Sequence, residues 1–381
     1  MRRLLFAFSA FALLAAASAR GQLTIEIVGG AGTEVPIAIV PFENESNWPL
    51  GGITGIVGAD LQRSGLFKLV NDSGITPRPY RAEDAKLGDF RARGADAVTV
   101  GSMRPLPDGR VDVRFALLDA VKQTQLASMS YVVAPAQFRA TAHKIADIIY
   151  EKLTGDAGVF STRIAYITKQ GSRFELIVAD ADGANPQPVV TSNEPLLSPA
   201  WSPDGRRLVV TLSKDGGSQL YLINADGSGV TRLLTSPGID TEASFTPDGS
   251  AILFSSDRGG TPQIYRLTLA TRAVERMTFE GNWNVSPRAL PDGRGFVFVR
   301  RDGGRFMIAI QDYATRQVQT LTPGPLDESP SIAPNSKLII YAAQQGSRGT
   351  LAGVSSDGRV KQRLVSPAAD VREPAWGPLP R

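Results

Sequence analysis

Residues 198–210, SPAWSPDGRRLVV, join an aromatic residue, a Pro-Asp-Gly tripeptide and an apolar run. In Ser202-Pro203-Asp204-Gly205 the proline suits position i+1 of a type I turn and the glycine suits i+3. Proline also lacks an N–H, so it ends the ladder of the strand before it. The stretch therefore reads as strand, tight turn, strand, and it repeats. Trp201 aligns with Phe245, Ala289, Ile332 and Trp376, at intervals of 44, 44, 43 and 44 residues. The following strand keeps step at Ile164, Leu208, Ile252, Phe296 and Ile339. The turn recurs as Thr246-Pro247-Asp248-Gly249 and Leu290-Pro291-Asp292-Gly293, and decays to Ala333-Pro334-Asn335-Ser336. After it come LVVTL, AILF, FVFV and LIIY, near-continuous apolar runs of the kind found where both faces of a strand are covered. Four short strands per repeat of this length is the signature of a β-propeller blade, and five copies can be counted.

The phase of the repeats predicts how the ring shuts. The region opens at Thr162 on a second-strand pattern, RIAYIT, and the chain ends on an orphan inner strand, EPAWGPL (373–379). The C-terminal strand is expected to complete the first blade, since a closed ring removes the exposed edges that invite aggregation. The propeller is expected to span 162–381.

Residues 36–155 follow another pattern. IAIVPF (37–42) reads as a buried strand, and GITGIVGADLQRSGLF (52–67) as a helix with Ile56, Leu61 and Leu66 at helical spacing. DAVTVGSM, RVDVRFALLDA and QTQLASMSYVV read as strands, the last two forming a hairpin. A second helix follows Pro135, with Phe138, Ala142, Ile145, Ile149 and Leu153 on one face and Gly155 at its end. The fold class is thus two-domain, a small α/β domain followed by an all-β propeller.

Arg2 and Arg3, an apolar stretch from Leu4 to Ala17 and Ala17-Ser18-Ala19 read as a secretory signal peptide over 1–19. The run is shorter than the ~20 apolar residues of a membrane anchor, and no other segment suits a span. Without the two arginines, 39 basic residues face 37 acidic ones, so nothing suggests a nucleic-acid partner. There is no cysteine, which excludes disulfides.

Enzymatic chemistry finds little purchase. The only histidine, His143, falls about 160° around its helix from Ile145 and is expected at the surface or the margin of a contact. No Gly-x-Ser-x-Gly elbow is present, so a serine triad is excluded. One His and no Cys cannot supply the usual zinc ligands. Asp180, Asp182 and Asn185 in DADGAN hint at a calcium loop, but the equivalents NADGSG and SSDGRV mark it as a hairpin turn. No catalytic, metal or cofactor site is therefore assigned. A carboxylate-based hydrolase or lyase acting on envelope material is the alternative, because Asp and Glu need no motif.

Both halves together resemble the TolB family, periplasmic propeller proteins of the Tol-Pal system. The resemblance rests on PIAIVPFENE (36–45), GADLQRSGLFKLV (58–70), DGRVDVRFALLDAVKQTQL (108–126), AHKIADIIYEKLTGDAGVFSTRIAYIT (142–168) and SPAWSPDG (198–205), in the same order along nearly the whole chain. It implies a monomeric periplasmic scaffold that binds the lipoprotein Pal through the propeller mouth and couples to TolA, supporting outer-membrane integrity and constriction during division, with other envelope proteins as further partners. For Pal it points to the loops that enter the inner strands, where Leu196-Leu197 and Trp283 accompany a polar rim: Leu197, Ser198, Asp240, Thr241, Glu242, Asn284, Ser286, Asp327, Glu328, Arg372 and Glu373. For TolA it points to a mobile strand within QLTIEIVGGAGTEV (22–35), with Leu23, Ile25, Glu26 and Ile27. Alternation of Leu23, Ile25 and Ile27 with polar neighbours, followed by glycines, fits a strand added to a partner's sheet edge. The same pattern fits a strand docked on its own chain. One departure is visible: the family usually has six repeats, and the copy after the first resembles the family's third, as though one blade were missing.

Overall fold

The computed structural model describes residues 26–28, 34–48, 52–214, 217–236, 238–324, 326–336, 338–345, 348–355, 358, 361–365 and 372–379. The expected leader 1–19, together with Leu23 and Ile25, lies outside them. Among the described residues no helix is long and apolar enough to cross a membrane.

Strand β1 (Glu26–Val28) precedes the α/β domain, which runs β2 (Val35–Ile39), α1 (Gly52–Arg63), β3 (Phe67–Leu69), α2 (Leu87–Ala92), β4 (Ala97–Pro105), β5 (Val111–Asp119), β6 (Thr124–Val133) and α3 (Phe138–Thr154). Its sheet has the order β3-β2-β4-β5-β6, parallel where helices intervene and antiparallel across the hairpins. Ile53, Val57 and Leu61 of α1 and Ala142, Ile145 and Ile149 of α3 pack on one face with Met103, Phe115 and Leu117. Phe90 of α2 covers the other face over Val98, Val100 and Leu118. The first helix stops four residues before the periodicity predicts. Gly65, at φ 72°, turns the chain into β3, and Leu66 is left exposed. At the end of α3, Gly155 takes the left-handed C-cap and donates to the Glu151 carbonyl.

Blade 2 comprises β10 (Leu196–Trp201), β11 (Arg207–Lys214), β12 (Gly217–Asn224) and β13 (Thr231–Arg232). Blade 3 comprises β14 (Asp240–Phe245), β15 (Ala251–Ser256), β16 (Gln263–Thr268) and β17 (Val274–Arg276). Blade 4 repeats the order in β18 (Asn284–Ala289), β19 (Gly295–Asp302), β20 (Arg305–Asp312) and β21 (Val318–Thr320). Blade 5 holds β22 (Asp327–Ile332), β23 (Leu338–Gln345), β24 (Arg348–Ser355) and β25 (Lys361–Val365), with β1 paired antiparallel on its outer edge, Glu26 opposite Val365. Blade 1 draws on two parts of the chain. Its inner strand is β26 (Arg372–Trp376), antiparallel to β7 (Arg163–Gln170), followed by β8 (Arg173–Asp180) and β9 (Gln187–Ser192).

The continuous apolar runs fill the wedges between blades. Leu208 and Val210 face Ala165 and Leu176, while Val209 and Leu220 face Ile252 and Phe254. The turn at 202–205 closes as its composition demands, with the Gly205 N–H donated to the Ser202 carbonyl. Asp204 accepts from the Ser202 hydroxyl and the Arg206 N–H. Asp248 repeats this in blade 3.

Candidate functional site

All five inner strands carry a bulge at one level. The register slips between Leu197 and Ala200, Thr241 and Ser244, Val285 and Arg288, Glu328 and Ser331, and Arg372 and Ala375. In each bulge one residue is left-handed: Ser198, Glu242, Ser286, Ser329 and Glu373, with φ between 50° and 55°. None is glycine, so each holds a conformation disfavoured for its type and must be kept there by its surroundings.

Hydrogen bonds between blades do this. The Glu242 N–H donates to Thr211 Oγ1 of blade 2 at 3.1 Å. Its carboxylate accepts from the Ser255 hydroxyl at 2.8 Å, and from the N–H and hydroxyl of Ser286 in blade 4 at 2.9 and 2.6 Å. Across the next seam the Ser198 N–H donates to the Glu373 carboxylate. The Trp376 N–H donates to Ser331 Oγ, joining blade 1 to blade 5. Arg288 lies between these carboxylates, its Nη1 donating to the carbonyls of Glu242 and Pro287. Burial holds its guanidinium below the usual arginine range, against the pull of Glu242 and Glu373. Burial likewise raises the Glu373 carboxyl, and the charge of Glu242 adds to the rise.

The predicted rim residues therefore divide. Asp240 is fully buried and bound by Arg258 Nη2 at 2.9 and 3.1 Å. Asn284 is buried and donates to Gln263 Oε1 and the Glu280 carbonyl. Asp327 is buried and accepts from the Gly324 N–H, while Ser198 and Ser286 are spent on the seam bonds. Leu196 is also buried, so of the leucine pair only Leu197 reaches the rim. Leu197, Thr241 and Glu242 are partly accessible and Glu328 is exposed. Arg372 belongs to β26, and Glu373 is half-buried.

Sequence reasoning named Trp283 but not its companions. Its ring meets Phe306 edge-on at 6.5 Å, Arg301 lies over both, and Phe279, four residues earlier in the same connection, is 65% exposed with Arg276 over its ring. No periodicity marks this patch, because its aromatics come from the 277–283 connection and from β20. At the other end of the tunnel the turn prolines 203, 247, 291, 334 and 378 ring a cavity of about 350 Å³, into which Trp201, Phe245 and Trp376 project.

His143 departs from expectation. It is buried, with Nδ1 2.6 Å from Asp60 Oδ2 of α1. The helical wheel places it off the core stripe, but a second face of α3 is covered by the propeller: Arg139 of the same helix pairs with Asp180 and Asp182 of blade 1. His143, Asp180 and Asp182 form the one group of at least three potential metal ligands among the described residues.

Two family models match the chain, the TolB amino-terminal domain over residues 23–126 and the TolB beta propeller domain over 150–208 and 198–380. The Tol-Pal system protein TolB of Methylobacillus flagellatus is 54% identical, with 99% of this chain and 98% of that protein covered. That of Azoarcus sp. is 60% identical, covering 93% and 92%. The crystal structure of TolB from Acinetobacter baumannii is 35% identical, covers 94% of this chain and all of that one, and superimposes with a TM-score of 0.69. The alignment with the Methylobacillus protein spans 426 positions against 381 residues here, so at least 45 positions have no counterpart in this chain. That is the length of one blade.

Proposed function

The chain belongs to the TolB family, and from that premise we propose that it serves the Tol-Pal system as a periplasmic, monomeric scaffold rather than an enzyme. The observation that carries the reading is similarity through both domains, since a propeller alone would not bring the α/β domain with it. Pal docks on the mouth where the inner strands begin, and TolA takes the N-terminal segment that includes Glu26 and Ile27. In this role the partners are held across the envelope during constriction, and outer-membrane integrity depends on the link.

On this reading Leu197, Thr241, Glu328 and Arg372 supply the contacts at the mouth, with Trp283 and Phe279 as aromatic anchors. Ser198, Asp240, Asn284, Ser286 and Asp327 act as framework that sets the loop bases. Glu242 and Glu373 set the charge inside the tunnel. The carboxylate-enzyme alternative gains no support from Glu242, whose oxygens already accept three bonds.

Calorimetric titration with the soluble domain of Pal from the same cell tests the reading. One-to-one binding at micromolar affinity or tighter is expected, weakened at least tenfold by Trp283→Ala. A folded protein that takes up no Pal domain refutes it.

A further inference from the structure

Where the α/β domain meets blade 1, α1 contributes Asp60 and Arg63, α3 contributes Arg139 and His143, and β8 with its following turn contributes Asp180 and Asp182. A ring nitrogen of His143 and one oxygen from each of the two blade carboxylates lie within 4.8 Å of one another. Nδ1 is held by Asp60, which is in turn held by Arg63 Nη1 at 3.0 Å. Nε2 is buried and has no hydrogen-bond partner, in a side chain only 3% exposed. An imidazole that ligates a metal nearly always gives its other N–H to a carboxylate, which fixes the tautomer and raises the basicity of the ligating nitrogen. Asp60 stands in that position, leaving Nε2 for the blade carboxylates.

The charges point the same way. Three carboxylates, Asp60, Asp180 and Asp182, face two guanidinium groups, Arg63 and Arg139. Among these groups the carboxylates outnumber the guanidinium groups by one, beside the buried His143 Nε2 that has no hydrogen-bond partner. We propose that His143, Asp180 and Asp182 bind one divalent cation of the zinc class at the domain junction. One imidazole and two carboxylates suit zinc or cobalt better than calcium or magnesium, which favour all-oxygen shells.

Arg139 sits where the ion goes. Its Nε donates to Asp180 Oδ2 at 2.9 Å and its Nη2 to Asp182. It is a quarter exposed, at the first turn of α3, and swings outward when the ion enters. Metal–ligand bonds of about 2.0–2.2 Å bring the three donor atoms to roughly 3–3.5 Å apart, closer than the 4.8 Å within which they now lie. Asn185 Nδ2, 2.8 Å from Asp180 Oδ2, and the Ala184 N–H, 3.1 Å from Asp182 Oδ1, already orient the carboxylates. The ion then ties α3 to blade 1.

The test is calorimetric titration of Zn²⁺ into the untagged chain, with Co²⁺ absorption as a second readout. His143 is the only histidine and there is no cysteine, so no other imidazole or thiol competes. One-to-one uptake at micromolar affinity or tighter is expected, with no heat from Ca²⁺. His143→Gln weakens uptake at least tenfold. Arg139→Gln, which removes the competing cation, tightens it several-fold. Should His143→Gln fail to fold, Asp180→Asn reports the same loss from the rim of the cluster. The proposal is overturned by a folded parent that takes up no zinc. Zinc uptake unchanged in His143→Gln or Asp180→Asn overturns it equally.

Discussion

Removing residues 372–381 takes away β26 and with it one side of two seams. The bonds lost include those from the Gly377 N–H to the Arg163 carbonyl, from the Trp376 N–H to Ser331 Oγ and from Trp376 Nε1 to Thr162 Oγ1. The bonds from Trp201 Nε1 to the Ala375 carbonyl and from the Ser198 N–H to Glu373 go with them. At about 1 kcal/mol for each of these five, the loss is about 5 kcal/mol before the ladder to β7 is counted. Ile164 and Trp201, both buried, lose their cover, and Trp376 is removed. Three large side chains at about 1.5–3 kcal/mol each add roughly 4–9 kcal/mol. The sum, about 9–14 kcal/mol, matches the whole stability of an ordinary domain. At about 2–4 °C per kcal/mol for a unit of this size, the propeller transition is expected to fall by at least 15 °C. Scanning calorimetry measures it, and Trp376→Ala, which keeps the strand, should lose about 3 kcal/mol or some 6–12 °C. A shortened chain that melts within about 3 °C of the parent would falsify the idea that β26 holds the ring shut.

Glu242→Ala strips the acceptor from a buried N–H and two hydroxyls and should cost about 2–4 kcal/mol in urea denaturation, whereas Glu242→Gln should cost about half; a loss under about 0.5 kcal/mol for the alanine variant contradicts the seam assignment. The bonds from Thr246 and Ser250 hold the Asp248 carboxyl down at about 2. Because its folded pKa lies below the unfolded one, its stabilisation is complete above about pH 4 and fades as pH falls toward 2, less than about 1 kcal/mol after solvent screening. An NMR titration that finds Asp248 near 4 refutes this. Burial pushes the phenols of Tyr313 and Tyr341 up to about 12 and raises those of Tyr131 and Tyr150, so these four of the eight tyrosines should ionise late. The unfolded chain releases those protons near pH 10, and stability should therefore decline between about pH 10 and 12. Ultraviolet titration in which all eight ionise together near pH 10 excludes it.

The propeller was legible because a repeat is read five times over. Trp201 and its equivalents recur in phase, and the orphan strand at 373–379 implied its own partner. What could not be read was the direction in which polar residues point. Asp240, Asn284 and Asp327 open their inner strands and look like loop charge, yet Arg258, Gln263 and the Gly324 N–H claim them from within the same or the preceding blade. The left-handed bulges were also silent, since Ser and Glu fill positions where glycine would have given the signal. His143 was misplaced because a wheel drawn from one apolar stripe assumes one buried face. On α3 the second face is polar, its burial made tolerable by Asp60, Asp180 and Asp182, residues 83 or fewer positions away that no local pattern connects.

The two ends of the described chain lie on neighbouring blades and are not equivalent. β1 is a fifth strand on a blade already complete, attached through three rungs from Glu26–Val365 to Val28–Arg363. β26 is the fourth strand of a blade that has no other. A pull that lifts β1 away from its edge breaks those rungs in turn, as a zip opens, and leaves every blade with four strands. The same pull on β26 splits the ring. One terminus is built as a latch and the other as a rivet, so a tug at the N-terminal side can be felt and released without the propeller losing its shape.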